Sequence, residues 1–444
     1  VNRRVVELIE DKKYREAKEE VKKLIPADVP ELLEELDQNS YLILFRMLPK
    51  DTAAEAFSHL NQEQRWYIIN SITEKELKII LDELFFDDMI DLLEEMPANM
   101  VKNILKNTKE EERKLINQFL NYPEDSAGSL MTIEYVDLKK EMTVKEALEY
   151  IKKTGLTKET VYTCYVTDAN RKLEGIVSLR KLVTSDENLT VEEIMDREVI
   201  YGHTHDDQET IAHLFKKYDF MAIPVVDKEG RLTGIITIDD IVDVIEQENT
   251  EDFQKIAAMA PSEEEYLGTG VLTLAKHRLT WLLVLMISAT FTGNIIERYD
   301  SILQSVVILA AFIPMLMGTA GNAGAQSSVL IIRGLALGNI KIKDIFKVIW
   351  KELRVSSLVG LILAFVNLLR VYYLENVEFK IALTVSLTLF TTIVAAKIFG
   401  CILPIIAKKL KLDPAIMASP LITTIVDALT LIVYFTLASF IIGL

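Results

Sequence analysis

One carboxylate, Asp427, stands in an otherwise uncharged stretch from 414 to 444. Around it the sequence reads Pro420-Leu-Ile-Thr-Thr-Ile-Val-Asp427-Ala-Leu-Thr. Thr423, Thr424, Asp427 and Thr430 recur at i, i+1, i+4 and i+7, so a helix collects them on one polar face. A second run, Pro314-Met-Leu-Met-Gly-Thr-Ala-Gly-Asn-Ala-Gly-Ala-Gln-Ser-Ser328, holds Gly318, Gly321, Gly324 and the amides Asn322 and Gln326 in an apolar setting. Small residues let helices approach closely, and carbonyls freed near a proline can line a wet path. All five histidines (His59, His203, His205, His213, His277) precede these runs, and Cys164 and Cys401 lie far apart. The chemistry on offer is therefore oxygen ligation by carboxylate, amide, hydroxyl and backbone carbonyl. That set suits a hard cation such as Mg²⁺, Ca²⁺ or Mn²⁺ better than Zn²⁺ or Cu⁺. Two plainer readings stay open: helix packing for the glycines, and an ion pair between Asp427 and Lys397. A symmetric dimer would bring two copies of Asp427 to one axis. At ~6 Å and an effective dielectric of ~20 they repel by about 3 kcal/mol, and a divalent ion between them removes that cost.

Acidic clusters recur earlier in the chain: Asp87, Asp88 and Asp91; Asp206, Asp207 and Glu209; Asp239, Asp240 and Asp243; Glu246, Glu248, Glu251 and Asp252. Any one alone reads as a solvated face. Together they form self-repelling surfaces that divalent cations would bridge.

The elements that carry these residues divide sharply by composition. The chain has 444 residues, 50% hydrophobic and 26% charged, with net charge −17. Residues 1–270 carry −24 and residues 271–444 carry +7. The length suits two to four domains. The acidic part lacks the basic surface that phosphate contact needs, so no nucleic-acid partner is expected. No apolar h-region follows the charged start (Asn2, Arg3, Arg4), so no cleavable signal peptide is expected. Uncharged runs at 279–296, 301–332, 355–369, 381–396 and 414–444 (the last broken only by Asp427) read as transmembrane helices. The run 301–332 fits one long helix or a hairpin. Five spans keep the basic loops 333–354 and 408–413 on the same side as the N-terminus, as the positive-inside rule asks. We therefore expect five spans in contact with lipid, a cytoplasmic N-terminus and an external C-terminus.

Residues 168–181 (Asp-Ala-Asn-Arg-Lys-Leu-Glu-Gly175-Ile-Val-Ser178-Leu-Arg-Lys181) match 227–240 (Asp-Lys-Glu-Gly-Arg-Leu-Thr-Gly234-Ile-Ile-Thr237-Ile-Asp-Asp240). Leu130-Met131-Thr132 echoes Ile194-Met195-Asp196 upstream. Each unit reads strand–helix–strand–turn–strand–helix, with hairpin turns at Ala169-Asn170 and Glu229-Gly230. This resembles a tandem pair of CBS domains, a regulatory module. The resemblance implies an adenosyl-ribose site at Gly234, Thr237 and Asp240, for ATP or another adenine nucleotide. The first copy has Lys181 in place of the acid. Residues 1–125 read as consecutive amphipathic helices punctuated at Leu48-Pro49, Asp51, Asn61, Thr73, Asp87 and Pro97, with apolar stripes (Leu60, Tyr67, Ile68; Leu77, Ile80, Leu81, Leu84). Such a pattern fits a short α-superhelix.

The order of parts resembles the MgtE family of magnesium channels along essentially the whole chain: an acidic α-helical N-domain (1–125), tandem CBS domains (126–250), a connecting helix (251–277) and a five-helix transmembrane pore domain (278–444). The most specific residues are Gly318-Thr-Ala-Gly-Asn322-Ala-Gly-Ala-Gln326-Ser and Leu412-Asp413-Pro-Ala…Ser419-Pro420-Leu…Asp427. The resemblance implies a multi-pass α-helical plasma-membrane protein, not an enzyme, forming a homodimer with the pore on its axis. It places the ion site at Asp427 with Asn322 nearby. Cytoplasmic Mg²⁺ sites are implied at Glu55, Asp87 and Asp91, and at Asp207, Glu209, Asp219, Asp240, Asp243, Glu248, Glu251 and Asp252. Bridging of these by Mg²⁺ would close the pore through residues 251–277, which otherwise read as a passive linker. The competing expectations are the same architecture carrying Mn²⁺, Co²⁺ or Ca²⁺, and a CBS-regulated membrane enzyme. The second lacks any G-x-x-x-x-G-K-[ST] phosphate loop.

Overall fold

A computed structural model describes residues 2–262, 266, 269–417 and 419–443. Two compact units divide the chain, residues 1–246 and residues 247–444.

The first unit begins with short helices, most of eight to ten residues, whose starts are written in capping chemistry. Asn61 and Gln64 form a reciprocal capping box, as do Thr73 and Glu76. Asp51 and Asp87, expected as punctuation, instead lie in the first turns of Lys50–Ser58 and Phe86–Glu95. There the Asp51 charge complements the helix dipole instead of capping it, whereas Asp87 is drawn into the buried acidic group described below. The expected stripes face inward: Leu60, Ile68, Leu77, Ile80 and Leu81 are buried, with Tyr67 and Leu84 packed against them.

The repeated segment forms two three-stranded sheets. In the first, β1 (Val136–Leu138) pairs parallel with β2 (Thr163–Thr167), which pairs antiparallel with β3 (Leu173–Ser178). In the second, β4 (Gly202–His203), β5 (Ala222–Val226) and β6 (Leu232–Thr237) repeat that order. Asp168 and Asp227 each take two backbone N–H groups of their hairpin turns. The left-handed residue of each turn is Arg171 (φ 64°) and its repeat partner Gly230 (φ 79°), one place beyond Asn170 in the first copy.

The two repeats are interleaved. Thr132, upstream of the first repeat, bridges to Ile235 in the second, whereas Asp196, upstream of the second, bridges to Ile176 in the first. Glycine permits both crossings. A Cβ on Gly234 would stand 2.6 Å from the Thr132 carbonyl oxygen, and one on Gly175 would stand 2.8 Å from that of Asp196.

The second unit starts within one long helix, Ile238–Ile256, whose first turns belong to the repeats. The stretch 251–277 is thus not one helix. It holds the end of this connecting helix, the Pro261 region and the start of Val271–Arg298, while residues 263–265, 267 and 268 lie outside the described residues. Among the described residues four helical segments are long and apolar enough to cross a membrane: Val271–Arg298, Ile342–Leu374, Phe379–Lys409 and Pro414–Gly443. The long run at 301–332 is not a hairpin. A short helix, Asp300–Ser305, precedes a single 28-residue helix, Leu309–Ala336, called here the glycine helix. At 1.5 Å per residue the glycine helix is about 42 Å long, though its glycines and amides make it less apolar than the other four. It packs against Phe379–Lys409 and against Ser419–Ala438, the aspartate helix.

Gly234→Ala is expected to destabilise the first unit by about 1–3 kcal/mol through overpacking against fixed backbone. Unfolding by urea, followed through residues 1–246, checks this, and unchanged stability would contradict the close approach.

Candidate functional site

The glycine helix presents two faces with different uses. A Cβ on Gly321 would stand 2.9 Å from Thr423 Cγ2, and one on Gly324 would stand 2.9 Å from Ile422 Cγ2. Gly400, on Phe379–Lys409, lies directly against the Gly324 carbonyl. These glycines therefore serve close helix packing. Gly318 has open space where a side chain would be, and Asn322 and Gln326 are exposed. Positions 318, 322 and 326 follow one another at i+4, so the open face is a polar stripe. Amides left in hydrocarbon are costly, so this stripe needs water, ions or protein beside it.

Across from Gly321, Thr423 begins the turn of the aspartate helix that ends at Asp427. Asp427 Oδ1 and Thr430 Oγ1 are buried and have no hydrogen-bond partner. Thr424 has spent its hydroxyl on the Pro420 carbonyl, 3.0 Å away. Lys397 is buried, yet among the described residues no ion pair joins it to Asp427. The pairing that would have made Asp427 structural is thus not formed. The Ser419 side chain lies outside the described residues. Among the described residues no group of three or more His, Cys, Asp or Glu side chains is arranged to hold a metal ion, so carboxylates of one chain do not by themselves enclose one.

A second gathering of charge lies in the first unit. Asp87 and Asp88 open the helix Phe86–Glu95, and Asp239 and Asp240 open the connecting helix. Glu134 joins the two regions: its Oε2 accepts the Phe86 N–H at 2.9 Å and the Thr132 hydroxyl at 2.8 Å. The Glu159 N–H donates to the Glu134 carbonyl at 2.8 Å, which sets Glu159 beside it. Burial and then Asp240, Asp88 and Glu159 hold Asp87 well above the usual carboxylate range. Burial and Asp239 push Asp240 up to about 8, with Asp91 adding to the shift and Thr237 opposing it. Burial, Asp239, Asp88 and Glu134 push Glu159 to about 7. Asp88 reaches about 6, held there by burial against the opposing influence of His59 and Arg65. Burial, Glu246 and Asp239 also raise Asp243.

The structure therefore brings together Asp87, Asp91, Asp240 and Asp243 of the expected sensing residues. It adds Asp88, Asp239, Glu134 and Glu159. Glu134 and Glu159 belong to no acidic run. The only signal for them is that each stands just before one of two strands, β1 and β2, that pair in parallel. Glu55 is exposed one helical turn before His59 and outside the buried group. Asp207 caps the helix Gln208–Tyr218, whereas Asp219 ends it in a left-handed turn. The two are about 18 Å apart along the axis, so one chain cannot place Asp219 on an ion with Asp207 and Glu209. Glu209 stands 3.7 Å from His213. Glu248, Glu251 and Asp252 lie further along the connecting helix, where Glu251 pairs with Lys255. In the expected nucleotide motif, Gly234 is tight against Met131 and Thr132, and the Thr237 hydroxyl donates to Asp240 Oδ2 at 3.0 Å. Asp240 thus belongs to both the motif and the acidic gathering.

Carboxylates raised in the folded state bind more protons there than when unfolded, so stability falls as pH rises between about 4 and 8. In EDTA, lowering pH from 8 to 5 should raise the melting temperature of the first unit by about 5 °C or more. Thermal unfolding followed by hydrogen exchange at 86–93 checks this. A melting temperature that falls over the same range would contradict the cluster.

Comparison with known proteins assigns these parts to families. The family model described as a divalent cation transporter matches residues 313–437, that of the MgtE intracellular N domain matches 24–125, and that of the CBS domain matches 127–187 and 191–247. The magnesium transporter MgtE of Thermus thermophilus is 36% identical over 438 residues, covering 97% of this chain and 96% of its own. The magnesium transporter MgtE of Bacillus subtilis is 33% identical over 437 residues, covering 98% and 96%. A crystal structure of the cytosolic domain of the Mg²⁺ channel MgtE in complex with ATP aligns with a TM-score of 0.53 at 36% identity, covering 55% of this chain and all of that one. With its helical N-domain, CBS pair and apolar helical bundle in this order, the chain belongs to the MgtE family of divalent cation transporters, multi-pass membrane proteins that are not enzymes.

Proposed function

We propose that this protein is a Mg²⁺ channel of the plasma membrane that admits Mg²⁺ and is closed by Mg²⁺ accumulating on its cytoplasmic side. The observation that carries the reading is Asp427 Oδ1, buried and unpartnered on a helix packed against the glycine helix. A carboxylate within a span is kept for a purpose, and among the described residues no lysine or hydroxyl answers Asp427 Oδ1. The polar stripe of Gly318, Asn322 and Gln326 supplies amide oxygens and room. Hard oxygen donors and few carboxylates suit Mg²⁺, which keeps most of its water shell.

In this reading the glycine helix is the second of five spans, and the C-terminus is external. Two chains form a homodimer whose axis joins two copies of Asp427, in keeping with the lack of a three-carboxylate metal centre among the described residues of one chain. Internal Mg²⁺ relieves the mutual repulsion that raises Asp87, Asp240 and Glu159. It binds Asp87, Asp91, Asp240 and Asp243 together, and exposed Glu55, Asp207, Glu209 and Asp219 serve ions shared with other surfaces. An adenine nucleotide at Gly234, Thr237 and Asp240 would draw on the same carboxylate and so tune the response. The ATP complex of the aligned cytosolic domain supports that role.

Asp427→Ala should reduce Mg²⁺ uptake into proteoliposomes to the level of empty liposomes. Uptake equal to the parent's would sink the pore assignment, and competition by Mn²⁺, Co²⁺ and Ca²⁺ ranks the cations. Replacing Asp87, Asp91 and Asp243 together by Asn should abolish the protection from proteolysis that Mg²⁺ confers on residues 1–246. Protection retained in full would remove these residues from the sensor.

A further inference from the structure

We propose that Lys255 is a tethered cation that latches the last turn of the connecting helix onto the turn before the aspartate helix, so that this clasp closes without a divalent ion. The Lys255 ammonium pairs with Glu251, one helical turn earlier, and with Asp413 Oδ2 at 2.6 Å. The other Asp413 oxygen accepts the Ala415 N–H at 2.8 Å, fixing the short turn Pro414–Met417 that leads into the aspartate helix. The next residue, Ile256, packs against Ile332 of the glycine helix and Ala415. Gln254 closes the loop behind the clasp through both atoms of its side-chain amide, Nε2 donating to the Ser262 carbonyl at 2.8 Å and Oε1 accepting the Ser262 N–H at 2.6 Å.

The charges explain why a lysine matters at this position. Glu251 and Asp413 come from different elements and converge on one point. Without the ammonium they repel, and removing one partner from a partly buried pair costs more than the pair gains. Burial disfavours the charged lysine, but the hydrogen bonds it donates to Asp413 and Glu251 outweigh burial and favour the ammonium. Glu251, expected as a divalent-cation ligand, is thus already neutralised from within the chain. Lys255 occupies the very carboxylates that an ion would bridge, so the clasp needs no Mg²⁺ while the lysine is in place. Its bearing on channel closure rests on the proposed function. The clasp itself stands on geometry, and the test below reads it without transport.

Hydrogen exchange of the full chain in detergent, at 247–257 and 410–417, reports the clasp directly. The parent should exchange slowly in EDTA and change little on adding Mg²⁺. Lys255→Gln should exchange about tenfold faster in EDTA and be restored by Mg²⁺, and Lys255→Arg should match the parent. Asp413→Asn, which keeps the lysine but loses the cross-link, should exchange fast with and without Mg²⁺. Slow exchange of Lys255→Gln in EDTA, or fast exchange that Mg²⁺ leaves unchanged, would overturn the proposal.

Discussion

Carboxylates that meet away from bulk water must share a positive charge, and the chemistry of this chain is organised by that requirement. Three gatherings meet it differently. Asp87, Asp240 and Glu159 are held above the usual carboxylate range, because burial and neighbouring acids raise them together. Glu251 and Asp413 take the ammonium of Lys255. Asp427 has a buried oxygen that no partner among the described residues answers. Protons, ammonium and metal ions are alternative occupants of the same kind of place, and the identity of the occupant decides whether that place is fixed or responsive.

Responsiveness follows from how the occupant is held. A tethered ammonium has a high local concentration and does not track the solution. A proton tracks pH, and a metal ion tracks its own concentration. In the proposed function the first unit is the sensor, because its buried carboxylates, raised by burial and by one another, can exchange protons for metal ions. The clasp at Lys255 is by contrast insensitive by construction, which suits a mechanical joint more than a detector.

Much of the fold was legible in the sequence because local chemistry agreed with the tertiary outcome. Asn61 and Thr73 cap the helices they were expected to start, and the 59-residue offset between the repeats reappears in the matched left-handed turns at Arg171 and Gly230. The site was legible in part. Asp427 stood out because a charge among apolar residues is rare, and Asp87 and Asp240 because acids cluster around them. Glu134 and Glu159 did not, since their neighbours in sequence are ordinary and their partnership is made by strand pairing. Lys255 was missed for the same reason, as its partner Asp413 lies 158 residues away. The glycines were ambiguous because close packing and a wet path ask for the same residue. Only the space around each one separates Gly321 and Gly324 from Gly318.

The interleaving of the two repeats bears on how the chain is made. Thr132 and Gly175 lie in the first half of the repeated segment, yet Thr132 pairs with Ile235 and Gly175 abuts Asp196. During synthesis at about 5–20 residues per second, the segment at Thr132 waits some seconds for the strand at Ile235 to leave the ribosome. Until then the Thr132 segment lacks the strand it bridges to, and neither repeat is a complete folding unit. The pair must therefore mature together, and a chain broken between them yields two unfinished halves in place of two domains.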